Sequence, residues 1–278
     1  MTRPLLVVDG DSFAHRAFHA LPKTIRRKDD RGGGAIVGFA NFLIRLVEEE
    51  RPRAVLVGWD TLDAPTFRQL LFPPYQGGRD YDPELVDQLA MLPEFVRTCG
   101  FAAAKAPGFE ADDFLAAAAA GEERIGGTVL VASGDRDAFQ LASARTTILH
   151  PVKAGEMARI GAAEVRERYG VDPAQVPDFI ALRGDPSDKI PGARGVGAKR
   201  AAALLGQVRF LEQLLDDGKF PEQADDLRLY KKLATMDPAA PLPAITDQTP
   251  RWDKAAALAH AWELGRLASR LEELGAAR

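Results

Sequence analysis

Three short apolar runs mark the first half of the chain: Leu5-Leu6-Val7-Val8, Ala54-Val55-Leu56-Val57 and Val129-Leu130-Val131. None alternates apolar with polar residues, which is the pattern of strands buried on both faces of a parallel sheet. Between them, amphipathic periodicity predicts helices over 36–50, 83–99 and 111–124, the last holding an alanine run that favours helix by propensity alone. Strands and helices in this order make a doubly wound, mostly parallel α/β layer. The stretch 63–82 carries Phe67, Arg68, Phe72, Tyr75 and Arg79 among Pro73, Pro74, Gly77 and Gly78, too many breakers and aromatics for a simple crossover. It reads as a functional insertion. Beyond residue 160 the strand signal fades and Pro173, Pro177, Gly192, Gly195, Gly197 and Pro221 separate helical stretches. The expected division is an α/β domain over 1–161 and a smaller all-helical domain over 162–278. Within the latter, 238–250 reads as a proline-rich connector before helices at 254–260 and 265–274.

Composition narrows the classes. A chain of 278 residues, 46% hydrophobic and 27% charged, is an ordinary globular protein with room for one large core and a smaller companion. No apolar run is long enough for a bilayer and no secretory apolar segment opens the chain, so a cytoplasmic protein away from membranes is expected. The single cysteine, Cys99, excludes an intramolecular disulfide and a multi-cysteine zinc site, and reads as a small buried hydrophobe. His15, His19, His150 and His260 lack ligand spacing. Any metal must therefore be held by oxygen. The net charge of −4 argues at first against a nucleic-acid partner, but the remainder turns positive once the acids considered next are set aside.

An Asp stands just past each apolar run: Asp9, Asp60 and Asp135. Ligands of open α/β sheets bind beyond the carboxyl ends of the strands, so three separate elements aim acid at one place. Asp137 follows closely, and Glu110-Ala111-Asp112-Asp113 opens the helix before the third strand, where carboxylates also suit the positive end of a helix dipole. Gly184-Asp185-Pro186-Ser187-Asp188 adds two more acids in a segment that a simple turn would also explain. Carboxylates gathered this way repel one another unless cations lie between them. Oxygen donors without thiolate or imidazole select magnesium or manganese. A pair of such ions about 4 Å apart activates water and stabilises the leaving oxygen of a phosphodiester.

Several blocks then resemble, in order, one known family: Val8-Asp9-Gly10, Arg16-Ala17-Phe18-His19-Ala20-Leu21, Gly38-Phe39, Phe67-Arg68, Tyr75, Arg79 and Pro107-Gly108-Phe109-Glu110-Ala111-Asp112-Asp113. Ser133-Gly134-Asp135-Arg136-Asp137-Ala138-Phe139-Gln140-Leu141, the Asp185 block and Ile190-Pro191-Gly192-Ala193-Arg194-Gly195-Val196-Gly197-Ala198-Lys199 continue the match. The family is that of bacterial 5′-3′ exonucleases and flap endonucleases, which includes the N-terminal nuclease domain of DNA polymerase I. The resemblance implies a resolvase-like or PIN-like nuclease core, a helical arch at 63–82 and a helix-hairpin-helix module in the smaller domain. It implies a metal-dependent 5′-3′ exonuclease and structure-specific 5′-flap endonuclease acting on DNA ends, flaps and duplex-single-strand junctions in replication or repair. Asp9, Asp60, Glu110 and Asp112 would hold the ion nearer the attacking water. Asp135, Asp137, Asp185 and Asp188 would hold or orient the second, with Asp113 close by. Gly192, Gly195 and Gly197 would let backbone N–H groups approach phosphate beside a potassium ion, with Lys199 and Arg200 supplying charge. In the arch, Tyr75 would stack on a base while Arg68 and Arg79 hold phosphate; Arg16 matches the family too, and Arg26-Arg27-Lys28 would lie near duplex backbone.

One departure stands out. Where the family has Tyr-Lys in the arch, this chain has Tyr75-Gln76, and glutamine donates a hydrogen bond without carrying charge. Electrostatic stabilisation there is lost or passes to Arg79. Lys189 also replaces the usual Asn. Two other readings stay open: a haloacid-dehalogenase-type phosphatase, imitated by Asp9-Gly10-Asp11, and a catalytically weak DNA-junction binding protein, suggested by Gln76. With no polymerase-like segment, a free-standing monomer is expected.

Overall fold

Each apolar run forms a strand, because both of its faces find apolar partners. In the computed structural model, which describes residues 3–78, 80–152 and 155–277, the chain runs β1 (Leu5–Asp9), α1 (Gly10–Ala20), a small hairpin of β2 (Arg26–Arg27) and β3 (Arg31–Gly32), α2 (Gly34–Glu50), β4 (Ala54–Gly58), α3 (Phe67–Leu71), α4 (Pro83–Thr98), β5 (Ala102–Ala104), α5 (Ala111–Arg124), β6 (Val129–Ala132), β7 (Thr146–Pro151) and β8 (Met157–Ile160). Helices follow: α6 (Ala162–Tyr169), α7 (Val176–Arg183), α8 (Ala198–Leu205), α9 (Leu211–Asp216), α10 (Ala224–Ala234), α11 (Trp252–Ala261) and α12 (Gly265–Ala276). The main sheet has the order β5-β4-β1-β6-β7-β8 and is parallel except that β8 runs antiparallel to β7.

Alternation along the strands splits the core between two layers. Leu5, Val7, Leu56, Val129 and Val131 face α5, in a core that continues through the apolar sides of α7–α10. Leu6, Val8, Val55, Val57 and Leu130 face α1, α2 and α4. Each such side chain stabilises the fold by roughly 1.5–3 kcal/mol, which is why the central strands need no polar face. The helix starts are set locally: Asp9 accepts the N–H of Ser12 at 2.9 Å to open α1, and Asp82 accepts that of Glu84 ahead of Pro83 to open α4.

Three features differ from the sequence expectations. The insertion over 63–82 is, in its described residues, one short helix followed by turns, begun by reciprocal bonds between Thr66 and Gln69. Helix α1, not anticipated, follows β1 at once. The last two helices, expected in the second domain, lie against α2 and α4 on the sheet's far layer, where Trp252, Ala255, Leu267 and Leu271 are buried. The connector leading to them is pinned to the foot of the sheet: Gln248 donates its N–H to Arg53 O and accepts that of Val55, Arg53 pairs with Asp247, and Arg251 donates to Cys99 O.

Candidate active site at the carboxyl ends of the strands

Strands β1, β4 and β6 run parallel, so the residues that leave them emerge on one edge. A cleft of about 710 Å³ opens there, and its walls include Asp9, Asp60, Glu110, Asp112, Asp135, Asp137 and Asp188. Close approach of β4 to α5 makes this possible, since any Cβ on Gly58 would lie 2.7 Å from the carbonyl oxygen of Ala111. Asp60 is tied to that helix start by accepting the Ala111 N–H at 2.7 Å. Asp9 accepts from Ser12 N and from Ser133 Oγ at 2.8 Å; Ser133 Oγ also accepts the N–H of Asp135, so one hydroxyl sets two acids.

Burial pushes the Asp9 carboxyl up to about 7, aided by the charges of Asp60 and Asp135 and opposed by the bonds from Ser12 and Ser133. Glu110 is likewise raised to about 7 by burial and by Asp60, against the pull of Arg68. Asp112 and Asp137 stand well above the usual carboxylate range through burial first and neighbouring acids second. The buried Oδ1 of Asp112 has no hydrogen-bond partner among the described residues. As they stand, no three of these groups in the described residues come together as a ready-made metal site. An all-oxygen donor set, mutual repulsion and an unpartnered buried oxygen together fit hard divalent cations that would draw the acids inward.

Other expected residues fall elsewhere. Asp113 is fully buried, with both oxygens taken by Arg68 at 2.7 and 2.8 Å, and it also accepts the N–H groups of Glu110 and Asp237. Those bonds hold the helix start and leave it no open side toward an ion. Arg68, expected on DNA, is only 2% exposed and further bonds Glu110 and the carbonyls of Leu233 and Thr235. Tyr75, expected to stack on a base, is 4% exposed, its hydroxyl 3.4 Å from both Glu110 Oε2 and Asp188 Oδ2. Burial and those two acids hold its phenol well above the ordinary value. Asp185 pairs with Arg183 at 3.0 Å and accepts the Ser187 N–H, while its charge still helps to raise Asp137 in the cleft. Arg16 is exposed beside Gly134, next to Asp135, and Arg79 lies outside the described residues.

Asp11, noted in the sequence only as part of a phosphatase-like motif and not among the acids of the cluster, enters the cleft and accepts the Asp60 N–H at 2.8 Å. Its place two residues after Asp9, on the first turn of α1, was the available signal. Ser133 was missed too, for want of any acid or base of its own.

The glycine-rich turn between α7 and α8 lies in a second hollow of about 570 Å³. Gly195 holds φ at +71° with open space around it, and Gly197, also open, precedes α8, where Lys199 and Arg200 are exposed. Gly192 differs: it is buried, and a Cβ there would strike the backbone of Gly184 at 2.5 Å. Its role is to close the turn.

Comparison with known proteins agrees with this arrangement. Residues 4–170 match the model of the 5′-3′ exonuclease N-terminal resolvase-like domain, and 171–256 that of the 5′-3′ exonuclease C-terminal SAM fold. The chain is 41% identical over 218 residues to DNA polymerase I of Mycobacterium bovis, covering 77% of this chain and 24% of the relative. It is 38% identical over 249 residues to the thermostable DNA polymerase I of Thermus thermophilus, covering 86% and 29%. It thus spans about a quarter of the length of the curated relatives it matches. Among solved structures it is similar to the bacteriophage T5 5′-exonuclease with bound zinc (TM-score 0.70, 20% identity, 98% of this chain and 99% of the other). It is also similar to the catalytic core of Rad2 in complex with DNA substrate (TM-score 0.61, 14% identity, 98% and 90%). With its whole length from the first strand to α11 accounted for by these two matched units, the chain belongs to the 5′-3′ exonuclease family.

Proposed function

We propose that this protein is a divalent-metal-dependent 5′ nuclease that hydrolyses phosphodiester bonds of DNA at 5′ ends, flaps and duplex-single-strand junctions. The observation that carries the reading is the convergence in one open cleft of mutually repelling carboxylates, buried at Asp9 and Glu110 and partly open to solvent at Asp60, Asp135 and Asp188, from the ends of three parallel strands, the start of α5 and the turn after α7. The T5 5′-exonuclease binds divalent metal ions and the Rad2 core binds DNA, which supports the same chemistry here. Asp9, Asp60, Glu110 and Asp112 would hold one ion and Asp135, Asp137 and Asp188 a second. Magnesium or manganese, when bound, supplies an activated water and charge against the leaving oxygen.

The rest falls to the chain itself. Ser133 and Ser12 hold Asp9, Asp11 holds the peptide of Asp60, and Arg68 with Asp113 fixes the helix start that carries Glu110 and Asp112. The open backbone at Gly195 and Gly197, with Lys199 and Arg200, would meet duplex phosphates, a potassium ion completing the turn. A 5′-labelled flap duplex incubated with magnesium, and with chelator instead, tests the proposal: cleavage is expected only with the metal. Absence of cleavage under both conditions would refute it.

A further inference from the structure

The position where this chain departs from its family is bonded to a carboxylate of the cleft. Gln76 donates its backbone N–H to the carbonyl of Asp188 at 3.3 Å, and its side-chain amide donates to Asp188 Oδ1 at 3.3 Å and to the Tyr75 hydroxyl at 3.2 Å. That hydroxyl in turn lies within 3.4 Å of both Asp188 Oδ2 and Glu110 Oε2. A phenol has one proton and two acceptor sites, so it takes the amide N–H and donates to one of the two acids. The insertion thus lies between Glu110, at the start of α5, and Asp188 in the turn after α7, with Gln76 bonded to Asp188 and the Tyr75 hydroxyl within reach of both acids. Gln76 holds φ at +52° and Lys189, next to Asp188, at +61°, a conformation that residues with side chains keep where their surroundings impose it.

We propose that Tyr75 and Gln76 are positioning residues that hold Asp188 toward the cleft, so that position 76 acts through a metal-binding carboxylate and not on the scissile phosphate. A neutral amide suits this task. It fixes the orientation of a carboxylate while leaving its charge available to a cation, whereas a lysine so placed would form an ion pair with Asp188 and compete with that cation. The idea rests on the metal-dependent reading above, and the test separates the two.

Gln76→Met keeps the length of the side chain and removes its donors; Tyr75→Phe removes the hydroxyl alone. Manganese is titrated into metal-free protein without DNA by calorimetry, and single-turnover cleavage of a 5′-flap duplex is followed across a manganese series. Each variant is expected to weaken manganese binding roughly 10-fold, the scale of losing an orienting partner behind a metal ligand. The double variant should weaken it by less than the product of the two, and cleavage lost at low manganese should return as manganese is raised. An unchanged isotherm overturns the proposal, whether or not the metal-free melting temperature moves. So does a rate deficit that persists at saturating manganese, which would put position 76 on the phosphate. If Tyr75→Phe does not fold, Gln76→Met decides alone. Wild-type protein that binds manganese yet never cuts would sink the nuclease reading while the isotherms still judge the positioning role; wild-type protein that binds none overturns both.

Discussion

Replacing Arg68 by alanine removes one cation from a place where two carboxylates depend on it. The guanidinium bonds Asp113 through both terminal nitrogens, Glu110 at 2.7 Å, and the carbonyls of Leu233 and Thr235 at the end of α10. Burial opposes the charge of Arg68, but the hydrogen bonds to Asp113 and the charges of Glu110 and Asp113 together outweigh it and hold the guanidinium protonated. With Asp113 fully buried, its charge would be left without a counterion, a loss of roughly 3–5 kcal/mol where a buried pair is broken from one side. Against a total stability of about 5–15 kcal/mol, that brings the protein near the limit of folding. Urea unfolding of metal-free Arg68→Ala, Asp113→Ala and the double variant measures it. The double variant should lose less than the two single losses combined, because it removes the orphaned charge together with its partner. Arg68→Ala that unfolds within about 1 kcal/mol of wild type while losing duplex affinity would instead behave as an exposed phosphate contact and refute the buried-pair role.

Asp9→Asn and Asp135→Asn are each expected to slow single-turnover cleavage by roughly 100-fold or more while duplex binding in chelator persists; wild-type turnover at saturating magnesium would refute the ligand assignment. Lys199→Ala should weaken duplex binding and reduce the slope of log affinity against log salt by about 1, and Gly195→Val should weaken it by straining a backbone held at φ +71°; isotherms unchanged across a salt series would count against that surface. Asp9 and Glu110, both raised to about 7, bind protons more tightly folded than unfolded, so their contribution to the stability of metal-free protein is greatest below the ordinary carboxylate range and is lost as pH rises through about 7. The melting temperature in chelator should therefore fall between pH 5.5 and 8 and magnesium should flatten that fall; a rise over the same window in chelator would contradict it.

The parts of the fold legible in the sequence are those whose signal is local. Continuous apolar runs gave β1, β4 and β6, and the helix over 111–124 is found at those bounds because an acidic start and an alanine run mark it independently of its neighbours. Strand β5 is three alanines, and β7 begins Thr146-Thr147, so neither carries a run that separates strand from loop; their pairing with β4 and β6 makes them strands. The acids past the strand ends were visible because topology puts strand ends together. The division of labour among them was not. Asp113 and Asp112 are adjacent in sequence, and only the arrival of Arg68 from 45 residues away decides which one is neutralised by a guanidinium. Gln76 likewise reads as a missing cation until Asp188 is seen beside it.

The route of the connector has a consequence for how the protein comes into being. Residues 252–276 fill the far layer against α2 and α4, so the core built by α1, α2 and α4 is not complete until residues 252–276 have been synthesised and the strap over Arg53 and Val55 has closed. The helices with the glycine-rich turn are thereby enclosed within the chain path of the sheet domain and moored to it at both ends. A nascent chain would on this plan complete the cleft only after its glycine-rich turn has been made, and a chain cut short before α11 would leave the far layer uncovered.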